Sequence, residues 1–260
     1  MSPGRWLRRL IPPALPAALV PASLLAGTLS LAAAGAAFGY QASVDVNETA
    51  FDVCDGTPNS IPSKMLSAAV SAYKAMGYAT SGFTGADFTK ARTLNRTDDD
   101  WGFSVHSHGD YYWDADAGRR YTGFREDSGD CNQKVVFSDE IKAARNGRQS
   151  NLVFISTCHA SDSNTTMPGA FAISKTKYDS ASTAGPEFYV GYVGIQWDSD
   201  EWLFEQRFWN ALTAGDGTGS SFDRAMAGSY GHSSFDADWW GAYHWSGKAG
   251  PLSISCPNCA

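Results

Sequence analysis

Two short blocks of this sequence carry residue types suited to nucleophilic chemistry. One is Leu152-Val153-Phe154-Ile155-Ser156-Thr157-Cys158, an apolar, β-branched run that leads into a cysteine. The other is Gly102-Phe103-Ser104-Val105-His106-Ser107-His108-Gly109, an apolar run that leads into histidine and glycine. Both runs read as short buried strands of the kind found in parallel sheets covered on both faces. Open α/β sheets place their ligands just beyond the carboxyl ends of such strands. If the two strands are neighbours, His108 and Cys158 meet at one sheet edge. A thiolate beside an imidazole can attack a carbonyl and form an acyl-enzyme. A buried, inert core thiol is the competing reading of Cys158.

The elements that must position these residues follow from periodicity. Gln41 to Asp52 alternates weakly and reads as a first strand. Met65, Leu66, Ala69, Val70, Tyr73 and Met76 recur at helical spacing, with Ser63 as the cap and Gly77 as the stop. Tyr78–Phe83 reads as a strand, and Thr84–Leu94 as a short helix with Phe88 and Leu94 inward. The aromatic, glycine-containing stretch Asp110–Gln133 reads as a hairpin or long loop over the sheet edge. Helices over Ser138–Asn146, Asp200–Leu212 and Ser221–Ala227, a strand over Phe188–Val193, and a last strand within Trp239–Ile254 complete the pattern. Strands alternating with helices predict βαβ units and an α/β fold with a mostly parallel central sheet.

The chain has 260 residues, 43% of them apolar and 18% charged, which is enough for one packed α/β domain behind a leader. Arg5, Arg8 and Arg9 precede a long Ala/Leu/Val/Gly run from about Ala14 to Phe38. That pattern makes residues 1–40 a secretory signal peptide or a membrane anchor and residues 41–260 the folded domain. Pro16 and Pro21 favour the cleaved signal. The domain is then secreted or extracytoplasmic, and meets a membrane only if the leader is retained. A net charge of −7 and no basic stripe after the leader exclude nucleic acid as the expected partner. In an oxidising compartment Cys54, Cys131, Cys256 and Cys259 can form two disulfides, in any of three pairings, which leaves Cys158 free.

Between Trp101 and about Ala227 the chain resembles the caspase-like fold of clan CD cysteine peptidases, with gingipains and metacaspases nearest in style. The resemblance rests on the strand ending in His108-Gly109, the strand ending in Thr157-Cys158, their separation of 50 residues, and the unit FYVGYVG followed by EWLFEQRFWNAL. The caspase motif Q-A-C-x-G is absent, which sets caspase-type aspartate specificity aside. The resemblance implies a three-layer caspase-like fold and a cysteine endopeptidase that needs neither metal nor cofactor. It implies Cys158 as nucleophile, His108 as general acid, and the backbone N–H groups of Gly109 and Cys158 as the oxyanion hole. His106, two residues before His108, is the rival for the acid role, and His159 packs or faces solvent.

Asp110, Asp162, Asp198 and Asp200 are expected in loops at the rim. One of them, buried there, would select a peptide with Lys or Arg before the cut, and Trp197 would wall the pocket. Two other classes compete. His106-Ser107-His108-Gly109-Asp110 matches the opening of a zinc-hydrolase pattern, with Tyr111 where a third histidine belongs and His159, His232 or His244 as substitutes. A catalytically silent caspase-like binding domain is the other.

Overall fold

The structure, a computed structural model, describes residues 40–56, 59–146, 150–162, 167–171, 173 and 188–241. The leader, His244, Cys256 and Cys259 lie outside them. In chain order the elements are β1 (Gln41–Val46), a π-helical turn (Ala50–Cys54), α1 (Ile61–Ala75), β2 (Ala79–Phe83), α2 (Lys90–Asp99), β3 (Gly102–His106), β4 (Gly109–Asp114), β5 (Arg119–Arg125), β6 (Val135–Phe137), α3 (Ser138–Arg145), β7 (Leu152–Ser156), α4 (Met167–Ala170), β8 (Phe188–Tyr192), α5 (Asp198–Thr213), α6 (Thr218–Met226) and β9 (Ala237–Gly241).

Alternation along the strands builds two cores. On β7, Leu152 and Phe154 join Tyr73 of α1, Phe208 of α5 and Phe222 of α6, while Val153 and Ile155 join Phe103, Ile141 of α3 and Phe171. Side chains buried on both faces are the signature of a parallel sheet between helices. Burying each such side chain stabilises by about 1.5–3 kcal/mol. The main sheet has six strands in the order β2-β1-β3-β7-β8-β9. All its pairings are parallel except that of β9 with β8. A second sheet, β4-β5-β6, is antiparallel and grows out of the end of β3. The fold is therefore α/β, with a mostly parallel sheet flanked by helices.

Several boundaries differ from the periodicity. α1 begins at Ile61, before Ser63, because Pro62 is tolerated in the first turn, where no intrahelical N–H is lost. The expected helix Thr84–Leu94 is a single 3-10 turn, Gly85–Asp87, followed by α2, which Thr89 caps by accepting from the Arg92 N–H. Asp198 and Asp200 lie in the first turn of α5 and not in a loop. Acidic residues are favoured there by the positive end of the helix. α6 starts at Thr218, and the last strand is Ala237–Gly241. Asp110–Gln133 does form a hairpin, β4–β5.

Asp45, on β1, is wholly buried and accepts a hydrogen bond from the Thr93 hydroxyl at 2.7 Å. Burial pushes its carboxyl up to about 7, Asp100 pushes the same way, and Thr93, Arg96 and Arg92 oppose. Its ordinary value is near 3.8. Between these values the folded state holds a proton that the unfolded chain has released, so stability falls as pH rises from 3.8 towards about 7 and levels off above it. The effect is at most about 4 kcal/mol. In thermal melts from pH 5 to 8, Asp45→Asn is expected to flatten the fall of Tm relative to the wild type. Parallel profiles for the two proteins would remove this account.

Candidate active site

The chain leaves β1 for β2 on one side and returns to place β3 on the other, so the carboxyl ends of β1 and β3 border a topological switch point. Three connections converge there. The first follows β1 and carries Asn47, Phe51, Cys54 and Asp55. The second joins β3 to β4 and carries Ser107 and His108. The third follows β7 and carries Thr157 and Cys158. Buried Asn47 ties the first two together, donating from Nδ2 to Ser107 Oγ at 3.1 Å and to the Glu126 carbonyl at 3.0 Å.

His108 sits over Phe51, with ring centroids 4.5 Å apart. Its Nε2 lies 3.1 Å from Asp55 Oδ2. Asp55 is next to Cys54, and Cys54 is bonded to Cys131, which resolves one of the three possible pairings. The disulfide closes a separation of 77 residues, for which chain entropy predicts about 4.5 kcal/mol of stabilisation. It also pins the turn that carries Phe51 and Asp55. Neither residue was assigned a role from sequence, because an isolated Phe or Asp in a loop has no distinguishing pattern.

His106 proves to be different in kind. It is 2% exposed and stacks on Phe51. Its Nδ1 lies 2.9 Å from Ser156 Oγ. Ser156 donates to Glu205 Oε1 at 2.5 Å, and the Trp209 indole donates to Glu205 Oε2 at 3.0 Å. Burial drives the imidazole down to about 3, with His108 adding to the effect. A histidine so placed is neutral at working pH and has no proton to give as an acid. His108, by contrast, has a side chain that is 37% exposed.

Cys158 is partly buried and free. Its Sγ accepts from the Gln196 N–H at 3.4 Å and faces the Gln196 carbonyl at 3.8 Å. No hydrogen bond joins it to His108 among the described residues. Burial raises the thiol to about 11; Glu201, Asp198 and Asp110 push it further up, and the Gln196 N–H pulls it down. At rest the sulfur is therefore a thiol.

Gly109 holds the two blocks together. A Cβ there would come within 2.6 Å of the Cys158 carbonyl oxygen and of the Thr157 side chain. The glycine is needed for this contact within the chain itself, not only for approach to a substrate. Its N–H is also turned outward. Arg125 donates to the His108 carbonyl, so 108/125 is a hydrogen-bonded pair of the ladder. The next pair, Gly109/Phe124, is then a non-bonded one, with its polar groups facing away from β5. The Cys158 N–H also donates to no acceptor among the described residues.

The acidic residues separate into two sets. Asp162 accepts from the Gly194 N–H at 2.6 Å, His159 Nδ1 at 2.7 Å and the Tyr111 hydroxyl at 3.1 Å. Burial pushes its carboxyl up, but these bonds outweigh burial and hold it low. It braces the turn after Cys158, where His159 adopts a left-handed backbone at φ 61°. Asp200 is buried and accepts from the Gly231 and His232 N–H groups and from the His232 ring. Asp110 is exposed, and Asp198 is half-buried. Burial raises the Asp198 carboxyl, His108 lowers it and Asp55 raises it. Trp197 is 57% exposed, stacked on His232 and adjacent to the Gln196 backbone that holds the sulfur. Buried Glu201, which belongs to no sequence motif, lies with Oε2 3.5 Å from His106 Nδ1.

Among the described residues the zinc-hydrolase ligands do not gather. His106 faces Ser156, His108 faces Asp55, His159 faces Asp162 and His232 faces Asp200.

No protein-family model matches the chain, and no curated protein matches it. Among solved structures, the crystal structure of protein GSU0716 from Geobacter sulfurreducens is similar at 15% identity and a TM-score of 0.42, covering 82% of this chain and 96% of that chain.

Proposed function

We propose that this chain is an exported cysteine endopeptidase of caspase-like architecture, cutting peptides next to a basic residue. The observation that carries the reading is the packing of Gly109 against the Cys158 carbonyl, which brings the histidine block and the cysteine block to one sheet edge. The sheet order supports the architecture. Disulfide Cys54–Cys131 supports an oxidising compartment. Among the described residues no helix is long and apolar enough to cross a membrane.

In the mechanism, His108 takes the Cys158 proton as the sulfur attacks the scissile carbonyl. The outward N–H of Gly109 and the free N–H of Cys158 support charge on the carbonyl oxygen. The imidazolium then gives its proton to the leaving amine and the C–N bond breaks, leaving a thioester. Water, losing a proton to His108, hydrolyses the thioester, and that proton returns to the sulfur. Asp55 holds the His108 ring in place for these transfers. Asp110 and Asp198, whose charges act on the Cys158 thiol, would pair with a Lys or Arg side chain of the peptide, and Trp197 would wall that position. Asp162, whose oxygens are engaged within the fold, serves as a brace.

The test combines an irreversible alkylator, peptide mass spectrometry, and cleavage of Arg, Lys, Asn and Asp reporter peptides by the mature domain. Labelling of Cys158 with parallel loss of Arg or Lys reporter cleavage is expected. An unlabelled Cys158, or full cleavage after its labelling, would sink the proposal. A labelled thiol with no cleavage of any reporter would favour the binding-domain reading.

A further inference from the structure

We propose that His106, Asp198 and Glu201 form a binding site for one divalent first-row transition-metal cation, zinc in the first place, beside the cysteine. One carboxylate oxygen from each acid and one of the two His106 ring nitrogens all lie within 4.8 Å of one another, a spacing that one ion can bridge; Glu201 Oε2 is 3.5 Å from Nδ1 of that ring. They come from the carboxyl end of β3 and the first turn of α5, two rigid elements of the main fold.

The hydrogen-bond chain behind His106 fixes what its ring can offer. Trp209 is a donor only, so Glu205 accepts from it. Ser156 gives its proton to Glu205 and therefore accepts at its oxygen from His106 Nδ1–H. Nε2 is left as the bare nitrogen of the neutral imidazole. It is buried and has no hydrogen-bond partner. A buried lone pair without a donor is costly unless something binds it. An imidazole whose other nitrogen is held by a chain of hydrogen bonds is the usual form of a metal-ligating histidine.

The charges point to the same ligand. Glu201 is 3% exposed, and no Lys or Arg pairs with it or with Asp198 among the described residues. One imidazole and two carboxylates suit zinc or manganese, whereas calcium and magnesium prefer all-oxygen sites. Three protein ligands leave room for water or a further ligand. The site stands apart from the His-x-His-x-Asp pattern, since it uses neither His108 nor Asp110, and it does not require that the chain be a peptidase.

The experiment uses the mature domain, stripped with EDTA and dialysed. Zinc binding is followed by isothermal titration calorimetry, and cobalt binding by its visible absorption. Expected are one zinc per chain, and a weakening of at least about tenfold in both Asp198→Asn and Glu201→Gln, with circular dichroism confirming the fold. Asp198 is half-buried, so its variant carries the test if Glu201→Gln does not fold. Cys158→Ala is expected to retain binding. No stoichiometric zinc, or equal affinity in Asp198→Asn and the wild type, overturns the site. So does binding that is lost in Cys158→Ala and kept in Asp198→Asn, which would place the ion on the thiol. Because the readout is the metal itself, its failure leaves the alkylation and cleavage results standing, and their failure leaves it standing.

Discussion

Cys158→Ala is expected to leave no measurable cleavage of a basic reporter peptide, while His108→Ala lowers kcat/KM by about 10²–10⁴-fold, the usual contribution of a positioned acid–base group. The same argument makes His106→Asn a different experiment. His106 is neutral, buried and held by Ser156, so its replacement is expected to disturb stability and metal affinity more than the pH profile of cleavage. Asp55→Asn is the finer test. Asp55 touches His108 and no other catalytic group proposed here. Its loss is expected to act on kcat more than on KM. Steady-state kinetics on folded variants decide the matter. A His108→Ala protein with wild-type kcat/KM would end the dyad reading, whatever the alkylation result.

The legible part of this molecule was the part written in short-range pattern. The run Leu152–Ile155 announced a strand buried on both faces, because only such a strand can be apolar at every position. The step from that strand to Cys158, and from Val105 to His108-Gly109, located a sheet edge without any tertiary information. What stayed hidden depends on contacts across long separations. Cys54 and Cys131 are 77 residues apart, and nothing local distinguishes their pairing from the other two. Asp55 becomes the neighbour of His108 only through that bridge and the turn of Ala50–Cys54.

The buried acids of α5 were hidden for another reason. Glu201 and Glu205 belong to no motif, yet they fall on the stripe that also carries Phe208 and Trp209. Spacing of four residues among Glu201, Glu205 and Trp209 was the available signal. Charge on an inward stripe marks either a hydrogen-bond network or a ligand, and here it marks the first and supports the second. Asp162 illustrates the reverse. Its position after Cys158 makes it a candidate for substrate binding, but the left-handed turn at His159 and the end of β8 already use its oxygens.

The second large effect concerns the thiol. With Cys158 near 11, about one molecule in 10⁴ carries the thiolate at pH 7. In EDTA, the alkylation rate of the free protein is therefore expected to be slow at pH 7 and to climb about tenfold for each pH step up to about 10. Burial is the main cause, which no surface substitution removes. Glu201 is the leading charge, so Glu201→Gln is expected to move the profile to lower pH, and Asp198→Asn and Asp110→Asn to move it less. A profile already flat at pH 7 would mean that the sulfur is a thiolate at rest and that these carboxylates do not act on it. The expected profile has a consequence for selectivity. The neighbouring acids add to the effect of burial on this thiol, and a Lys or Arg side chain bound among them would offset their share. The basic group proposed to bind there would then also ease ionisation of the sulfur. Basic reporters should accordingly gain in kcat as well as in KM over neutral ones of equal size, and that gain should shrink in Asp198→Asn. Discrimination confined to KM would reduce the carboxylates to binding groups alone.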